Sequence, residues 1–258
     1  MKIDINCDMG ESYGAYRIGL DEEIIKYITS ANVACGWHAG DPLVMERTVR
    51  LAREHGVRVG AHPGYPDRMG FGRRFMDCTP EEIRAYVIYQ VGALQAFCKA
   101  QGIGLSHVKP HGALYNRAVE DEALARAIVE AVASVDRNLL YVALAGQRGE
   151  MMRRVGEEIG LRVVYEAFPD RAYTPEGRLL SRRLPGAVIK DPEEVAERAL
   201  MIAKEGKIRA VDGSEIPLEA QTLCVHGDTP GAVDLAKRIR ERLEAEGIEV
   251  RPMEEVVG

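Results

Sequence analysis

Short apolar runs in this chain stop, one after another, at a histidine. Ala31-Asn32-Val33-Ala34-Cys35 leads through Gly36-Trp37 to His38, and Val57-Arg58-Val59-Gly60-Ala61 leads to His62. Leu105-Ser106-His107-Val108-Lys109 leads through Pro110 to His111, and the late run Leu223-Cys224-Val225 ends on His226. Each run has the length and composition of a buried strand, and stretches with helical patterning lie between them. Parallel strands alternating with helices present their carboxyl ends on one face. Side chains far apart in sequence then converge there, as at the top of a (β/α) barrel. His55 is the exception, since it lies in the polar tail of a predicted helix and reads as a surface residue.

The alternation runs through the whole chain. Strands are predicted over 2–7, 31–35, 57–61, 105–109, 139–144, 161–166 and 222–226, with helices over 21–29, 42–55, 80–101, 121–135, 147–159, 192–205 and 230–246. Thr79-Pro80-Glu81-Glu82 is a capping box with proline at the first helical position, and Asp191-Pro192-Glu193-Glu194 repeats that logic. Gly56, Gly102, Gly160 and Gly247 stand where helices should stop. Seven βα units favour a parallel sheet. The 258-residue length and the polar strand ends favour a closed or nearly closed barrel, with residues 1–258 forming one domain. Residues 63–78 and 167–190 break the rhythm as long loops, which on a barrel are expected over the active face. Val211-Asp212-Gly213-Ser214 reads as a hairpin turn before the last strand.

Composition excludes several classes. The net charge is −6 with both signs dispersed, so no basic stripe points to nucleic acid. No apolar run reaches roughly eighteen residues, so no transmembrane helix is expected. The first strand starts almost at once and leaves no room for a signal peptide. The five cysteines are scattered without CxxC spacing, which points to reduced thiols and a cytoplasmic protein. There is no phosphate-binding loop, no GxGxxG pattern and no nucleophile elbow, so the chain is expected to have no nucleotide site of its own.

The strand ends carry the chemistry. In Asp4-Ile5-Asn6-Cys7-Asp8-Met9-Gly10-Glu11, alternation puts Asp4, Asn6 and Asp8 on one face. Asp4 and Asn6 fit either a polar layer inside the barrel or the site itself, while Asp8 and Glu11 lie at the exit. Asp41 before Pro42 reads first as a helix N-cap. His38 and His62 have no such local role. With Asp8 they offer ligand types suited to zinc or another divalent ion, although a buried histidine held by a backbone partner is an open alternative. Lys109, at the last position of an apolar strand, calls for an anionic partner, and His111 two residues on is a candidate general acid or base. His107 shares the face of Lys109 and reads as a core residue. The loop from Tyr65 to Arg74 brings Arg68, Arg73 and Arg74 toward the same face, either as anion-binding forks or as a solvated loop. Glu166, Asp170 and Arg171 close the sixth strand, and His226 and Asp228 close the seventh.

These blocks, with Gly60-Ala61-His62-Pro63-Gly64-Tyr65-Pro66-Asp67, Gly70-Phe71-Gly72-Arg73-Arg74 and Val108-Lys109-Pro110-His111-Gly112-Ala113-Leu114-Tyr115-Asn116, resemble the LamB/YcsF family in order along the whole chain. The resemblance implies a seven-stranded, distorted TIM-like barrel akin to the glycoside hydrolase/deacetylase fold. It also implies the 5-oxoprolinase reaction, in which 5-oxoproline is opened to glutamate at the expense of ATP. The family supplies one of the subunits of that enzyme, and partner subunits B and C are expected to complete it and to bind the ATP.

The expected roles are these. Lys109, with Arg73 and Arg74, meets the carboxylate or phosphate of a lactam or its phosphorylated form. His62 or His111 activates water, and Asp8 orients a histidine or holds a metal. Asn6, Glu11, His38 and Glu166 are candidate substrate-binding residues, as are Asp170, Arg171, His226 and Asp228. A divalent metal on Asp8, His38 and His62 is a further expectation. The rival readings are a stand-alone metal-dependent amide or sugar deacetylase and a non-catalytic subunit that positions its partners.

Overall fold

Alternation in the first strand decides how the chain closes. In β1 (Lys2–Met9), Ile3, Ile5, Cys7 and Met9 join the main apolar core, while Asp4, Asn6 and Asp8 face the other way and bond across the barrel interior. The structure, a computed structural model, describes residues 1–225, 227 and 231–258. β2 (Ser30–Ala34), β3 (Arg58–His62), β4 (Leu105–Val108), β5 (Leu140–Leu144) and β6 (Val163–Ala167) follow β1 in order, each parallel to the one before. β7 (Lys207–Arg209) and β8 (Glu215–Pro217) form a separate antiparallel hairpin around the turn at Asp212-Gly213. β9 (Thr222–Val225) pairs with both β6 and β1 and closes a seven-stranded parallel barrel. β10 (Glu249–Val250) adds to β1 at Lys2 and Ile3, beside the end of β9.

Helices α1 (Asp21–Ile24), α2 (Pro42–His55), α3 (Pro80–Ala100), α4 (Gly112–Ala118), α5 (Glu122–Val135), α6 (Glu150–Ile159), α7 (Pro192–Glu205), α8 (Ala232–Ala245) and α9 (Met253–Val257), with a 3-10 turn (Gln147–Gly149) leading into α6, complete the described elements. Their starts follow the predicted chemistry. Thr79 and Glu82 make both halves of the capping box on α3, and Asp41 and Asp191 accept backbone N–H groups at the starts of α2 and α7. Gly56 ends α2 at φ 68°, a left-handed conformation that favours glycine. α9 sets Met253 against Leu140, Val142 and Val164 in a small apolar cluster apart from the main core. None of the described helices is long and apolar enough to cross a membrane, and all five cysteines are free thiols.

The predicted helix over 21–29 is only one turn long, because Thr29 turns its hydroxyl back to β1, where it bonds Ile5 and Asp4. Periodicity does not reveal the short elements α4, β7, β8, β10 and α9.

Candidate active site

A polar ladder climbs the barrel interior from the amino ends of the strands. Asp4 accepts hydrogen bonds from the hydroxyls of Thr29, Ser30 and Thr222, at 2.7, 2.6 and 2.5 Å. Burial pushes its carboxyl up to about 6, against those hydrogen bonds. Asn6 donates to Thr222, and Asn32 donates to both Asn6 Oδ1 (2.7 Å) and Asp8 Oδ1 (2.9 Å). His107 crosses above Gly60 to reach Asn32 Oδ1 at 2.8 Å. A Cβ on residue 60 would lie 2.1 Å from the His107 ring, so only glycine fits there. His107 is therefore a core residue, and burial pushes its imidazole down to about 3.

Lys109 sits where the ladder meets the cavity. Its Nζ lies 2.7 Å from Glu166 Oε1, 3.0 Å from Asp8 Oδ1, 3.1 Å from Cys224 Sγ and 3.4 Å from Asn6 Oδ1. The Glu166 contact is a close ion pair without hydrogen-bond alignment, and the Tyr115 hydroxyl donates to Oε2 of the same carboxylate at 3.1 Å. Burial alone would push the ammonium down, but Asp8, Cys224 and Glu166 outweigh it and hold Lys109 well above its ordinary value. An ammonium has three protons, and the protein engages them all. Lys109 lines the cavity, and the anions the protein itself sets against its ammonium are Asp8 and Glu166.

Three imidazoles stand beside this pair. His62 Nδ1 lies 2.7 Å from the Lys109 carbonyl and His111 Nε2 lies 2.8 Å from the Phe71 carbonyl. A carbonyl only accepts, so each of those nitrogens carries the proton. The inner nitrogens, His62 Nε2 and His111 Nδ1, face each other at 2.9 Å, and Asp8 Oδ2 lies 3.3 Å from His62 Nε2. Burial, then the neighbouring His62, pushes His111 down to about 3, so near neutrality it is uncharged. His62 Nε2, His111 Nδ1 and Asp8 Oδ2 therefore converge on one point between the rings.

His38 stacks flat on His111 with ring centroids 3.7 Å apart, and neither of its nitrogens finds a partner among the described residues. Burial, then His111 and His62, holds His38 well below the usual histidine range. Donor atoms of Glu11, His38, His62 and His111 all lie within 4.8 Å of one another, so this buried cluster has the donor set for a metal. The grouping differs from the expected Asp8, His38 and His62: Glu11 and His111 join, while Asp8 stands beside the cluster between His62 and Lys109.

The loop after β3 locks these rings. Phe71 adopts φ 55°, rare for a non-glycine residue, and so turns its carbonyl to His111. At Gly72 a Cβ would come within 2.7 Å of His38 and 2.8 Å of His111. The glycines let backbone close on histidines. Of the three expected guanidinium groups in this loop, Arg73 alone reaches the cavity. Arg68 donates to the Gly36 and Gly40 carbonyls and stacks on Tyr13, and Arg74 is ion-paired with Asp67. The role expected of Arg74 is corrected accordingly.

The cavity above this floor has a volume of about 600 Å³. Asp8, His62, Lys109, His111 and Glu166 form its base, with Tyr115 and Phe168 on one wall. Arg171 lines it, while Asp170 is buried in the loop beside it and does not. Asn6 lies one layer below, and Glu11 and His38 lie behind the paired histidines. His226 and Asp228 lie outside the described residues. Sequence reasoning passes over Tyr115, Arg148, Arg178, Arg182 and Arg183 as site residues, and all of them line the cavity. The available signal for the last three is the arginine density of the long loop after β6.

The sequence profile of the LamB/YcsF family matches residues 3–258. The chain is 59% identical over 253 residues to a Pyrococcus furiosus protein named as the A subunit of 5-oxoprolinase, covering 98% of each chain. It is 59% identical over 257 residues to the protein of the same name from Thermococcus onnurineus, covering all of both. Among solved structures it is similar to a lactam utilization protein from Thermus thermophilus, at 52% identity and a TM-score of 0.92, covering 97% of this chain and 99% of that one.

Proposed function

The chain belongs to the LamB/YcsF family, and from that membership we propose that it is the A subunit of an ATP-dependent 5-oxoprolinase, acting as a cyclic amide hydrolase. The observation that carries this reading is end-to-end identity of 59% to chains named as that subunit. In the reaction, the oxygen of water bonds to the ring carbonyl carbon, the ring C–N bond breaks, and the nitrogen takes up a proton to give glutamate. Opening an unstrained five-membered lactam is close to uphill in water, which accounts for coupling to ATP. Partner subunits B and C bind the nucleotide, in keeping with the missing phosphate loop here.

The floor of the cavity suits the hydrolytic half. An imidazole whose far nitrogen is anchored on a backbone carbonyl has the fixed orientation a general base needs, and both His62 and His111 meet that description. The proton removed from water passes by way of this pair to the departing ring nitrogen. Asp8 steadies the imidazolium that forms, at 3.3 Å from His62 Nε2. Lys109 acts as a positioning residue, holding Asp8 and Glu166 in place.

The orphaned nitrogens of His38 and the inner nitrogens of His62 and His111 alternatively fit a divalent metal ion, with Glu11 as the carboxylate donor, and with that ion bound they would be ligands instead of bases. When bound, such an ion polarises a carbonyl and lowers the pKa of water. Metal analysis of the purified chain tests this: stoichiometric zinc, cobalt or manganese, lost in His38→Ala, is expected.

Reconstitution with partner subunits B and C tests the main reading. Glutamate should form from 5-oxoproline only with this chain, its partners and ATP all present. Hydrolysis of simple amides or acetylated sugars by this chain alone would replace the reading with a stand-alone hydrolase.

A further inference from the structure

One row of residues runs across four neighbouring strands of the barrel. The parallel registers pair Asp8 of β1 with Asn32 of β2, Asn32 with Gly60 of β3, and Gly60 with His107 of β4. Asn32 and His107 are fully buried, and neither lines the cavity. Gly60 leaves the third place in the row empty. The His107 ring fills that place and meets Asn32 at 2.8 Å. The row is thus one hydrogen-bonded line that ends on Asp8, at the floor of the cavity.

Lys109 fixes where the protons lie along this line. An ammonium only donates, so the atoms it faces, Asp8 Oδ1 at 3.0 Å and Asn6 Oδ1 at 3.4 Å, are acceptors. Asn32 reaches those same two oxygens, at 2.9 and 2.7 Å, and must present its NH2 group to both. Its own Oδ1 then faces His107 Nε2 and needs a donor. Burial pushes the His107 imidazole down to about 3, so near neutrality it carries one proton. Asn32 places that proton on Nε2. Nδ1 is left as an acceptor, and the Ser106 hydroxyl donates to it at 3.1 Å. Reversing either the amide or the tautomer would set acceptor against acceptor among buried atoms, which costs their full desolvation.

We propose that His107 and Asn32 are positioning residues for the hydrolytic step. His107 locks the Asn32 amide, and Asn32 and Lys109 together hold Asp8 Oδ1. Asp8 Oδ2 is thereby turned toward His62 Nε2, at 3.3 Å. The role rests on the 5-oxoprolinase reading, since that reading supplies the step Asp8 serves, whereas the proton pattern stands apart from it.

Nitrogen NMR of the imidazoles in the full chain tests the pattern without turnover. His107 should be the neutral Nε2–H tautomer near neutrality, and an Nδ1–H or charged His107 overturns the proposal. Turnover in the reconstituted enzyme tests the role. His107→Leu keeps bulk and loses the donor, and should lower kcat about tenfold or more with KM within about twofold. His107→Gln, which can donate from the same place, should recover most of that loss. In an Asp8→Asn background, His107→Leu should have little further effect, because residues acting through one another are not additive. Asn32→Ser takes the place of His107→Leu in this cycle if the latter does not fold. Wild-type kcat, a rise in KM alone, no recovery by glutamine, or a fully additive loss on Asp8→Asn overturns the positioning role. Failure of the 5-oxoprolinase reading would show separately, as no glutamate from the wild-type complex while the His107 tautomer stays as assigned.

Discussion

Replacing Lys109 by methionine roughly keeps volume and removes one charge from the floor. If the ammonium were there for substrate, the folded protein would be unharmed or stabilised by its loss. The structure predicts the opposite. Glu166 is fully buried and would keep only the Tyr115 hydroxyl, while Asp8 would keep Asn32, His62 and some solvent. Stranding a buried carboxylate costs roughly 3–5 kcal/mol. For a chain of this size that lowers the melting temperature by about 10 °C. Adding Glu166→Gln to Lys109→Met should restore about 1–3 kcal/mol, since the two changes act on one contact. Denaturant titration of wild type, both single variants and the double variant measures the coupling. A Lys109→Met protein as stable as wild type, or strictly additive effects, refutes the ion-paired floor. A destabilised variant with full turnover in the reconstituted enzyme refutes any part for Lys109 in holding the site.

His62→Ala and His111→Ala should each lower turnover by on the order of a hundredfold with the fold intact by circular dichroism, and near wild-type turnover in both would make the pair structural. The isolated chain should show no micromolar affinity for ATP by calorimetry. Asp4 gives a pH test: its folded carboxyl sits at about 6 against 3.8 for an unperturbed aspartate, so the folded state holds a proton that the unfolded state releases between those values. The stability of wild type relative to Asp4→Asn should therefore fall as pH rises from about 4 to about 6, by up to ~1.4 kcal/mol per pH unit, and a flat difference across that window sinks the assignment.

Much of the barrel was legible because its signals are local. Caps at Asp41, Thr79 and Asp191 and the alternation of Asp4, Asn6 and Asp8 depend on neighbours within a few residues. α4 escapes because its start carries no capping side chain. Its Ala113 N–H is instead bonded to the Gly72 carbonyl, a contact from a distant loop. The site residues are legible as types but not as partners, for the same reason. Lys109 reads as an unpaired cation in sequence because Asp8 is 101 residues away and Glu166 is on another strand. The closeness of Gly72 to the stacked rings escapes a sequence reading because His38 and His111 belong to the loops after β2 and β4.

The distribution of charge gives the cavity a direction. Its floor carries Asp8 and Glu166 around a single ammonium, with His111 and His38 held neutral, so the base draws a cation. Its mouth carries Arg171, Arg178, Arg182 and Arg183 without carboxylate partners among the described residues. Lys109 links the two halves of this design. By pairing the floor's one cation internally, it offsets the carboxylates of Asp8 and Glu166 and keeps Asp8 fixed beside His62.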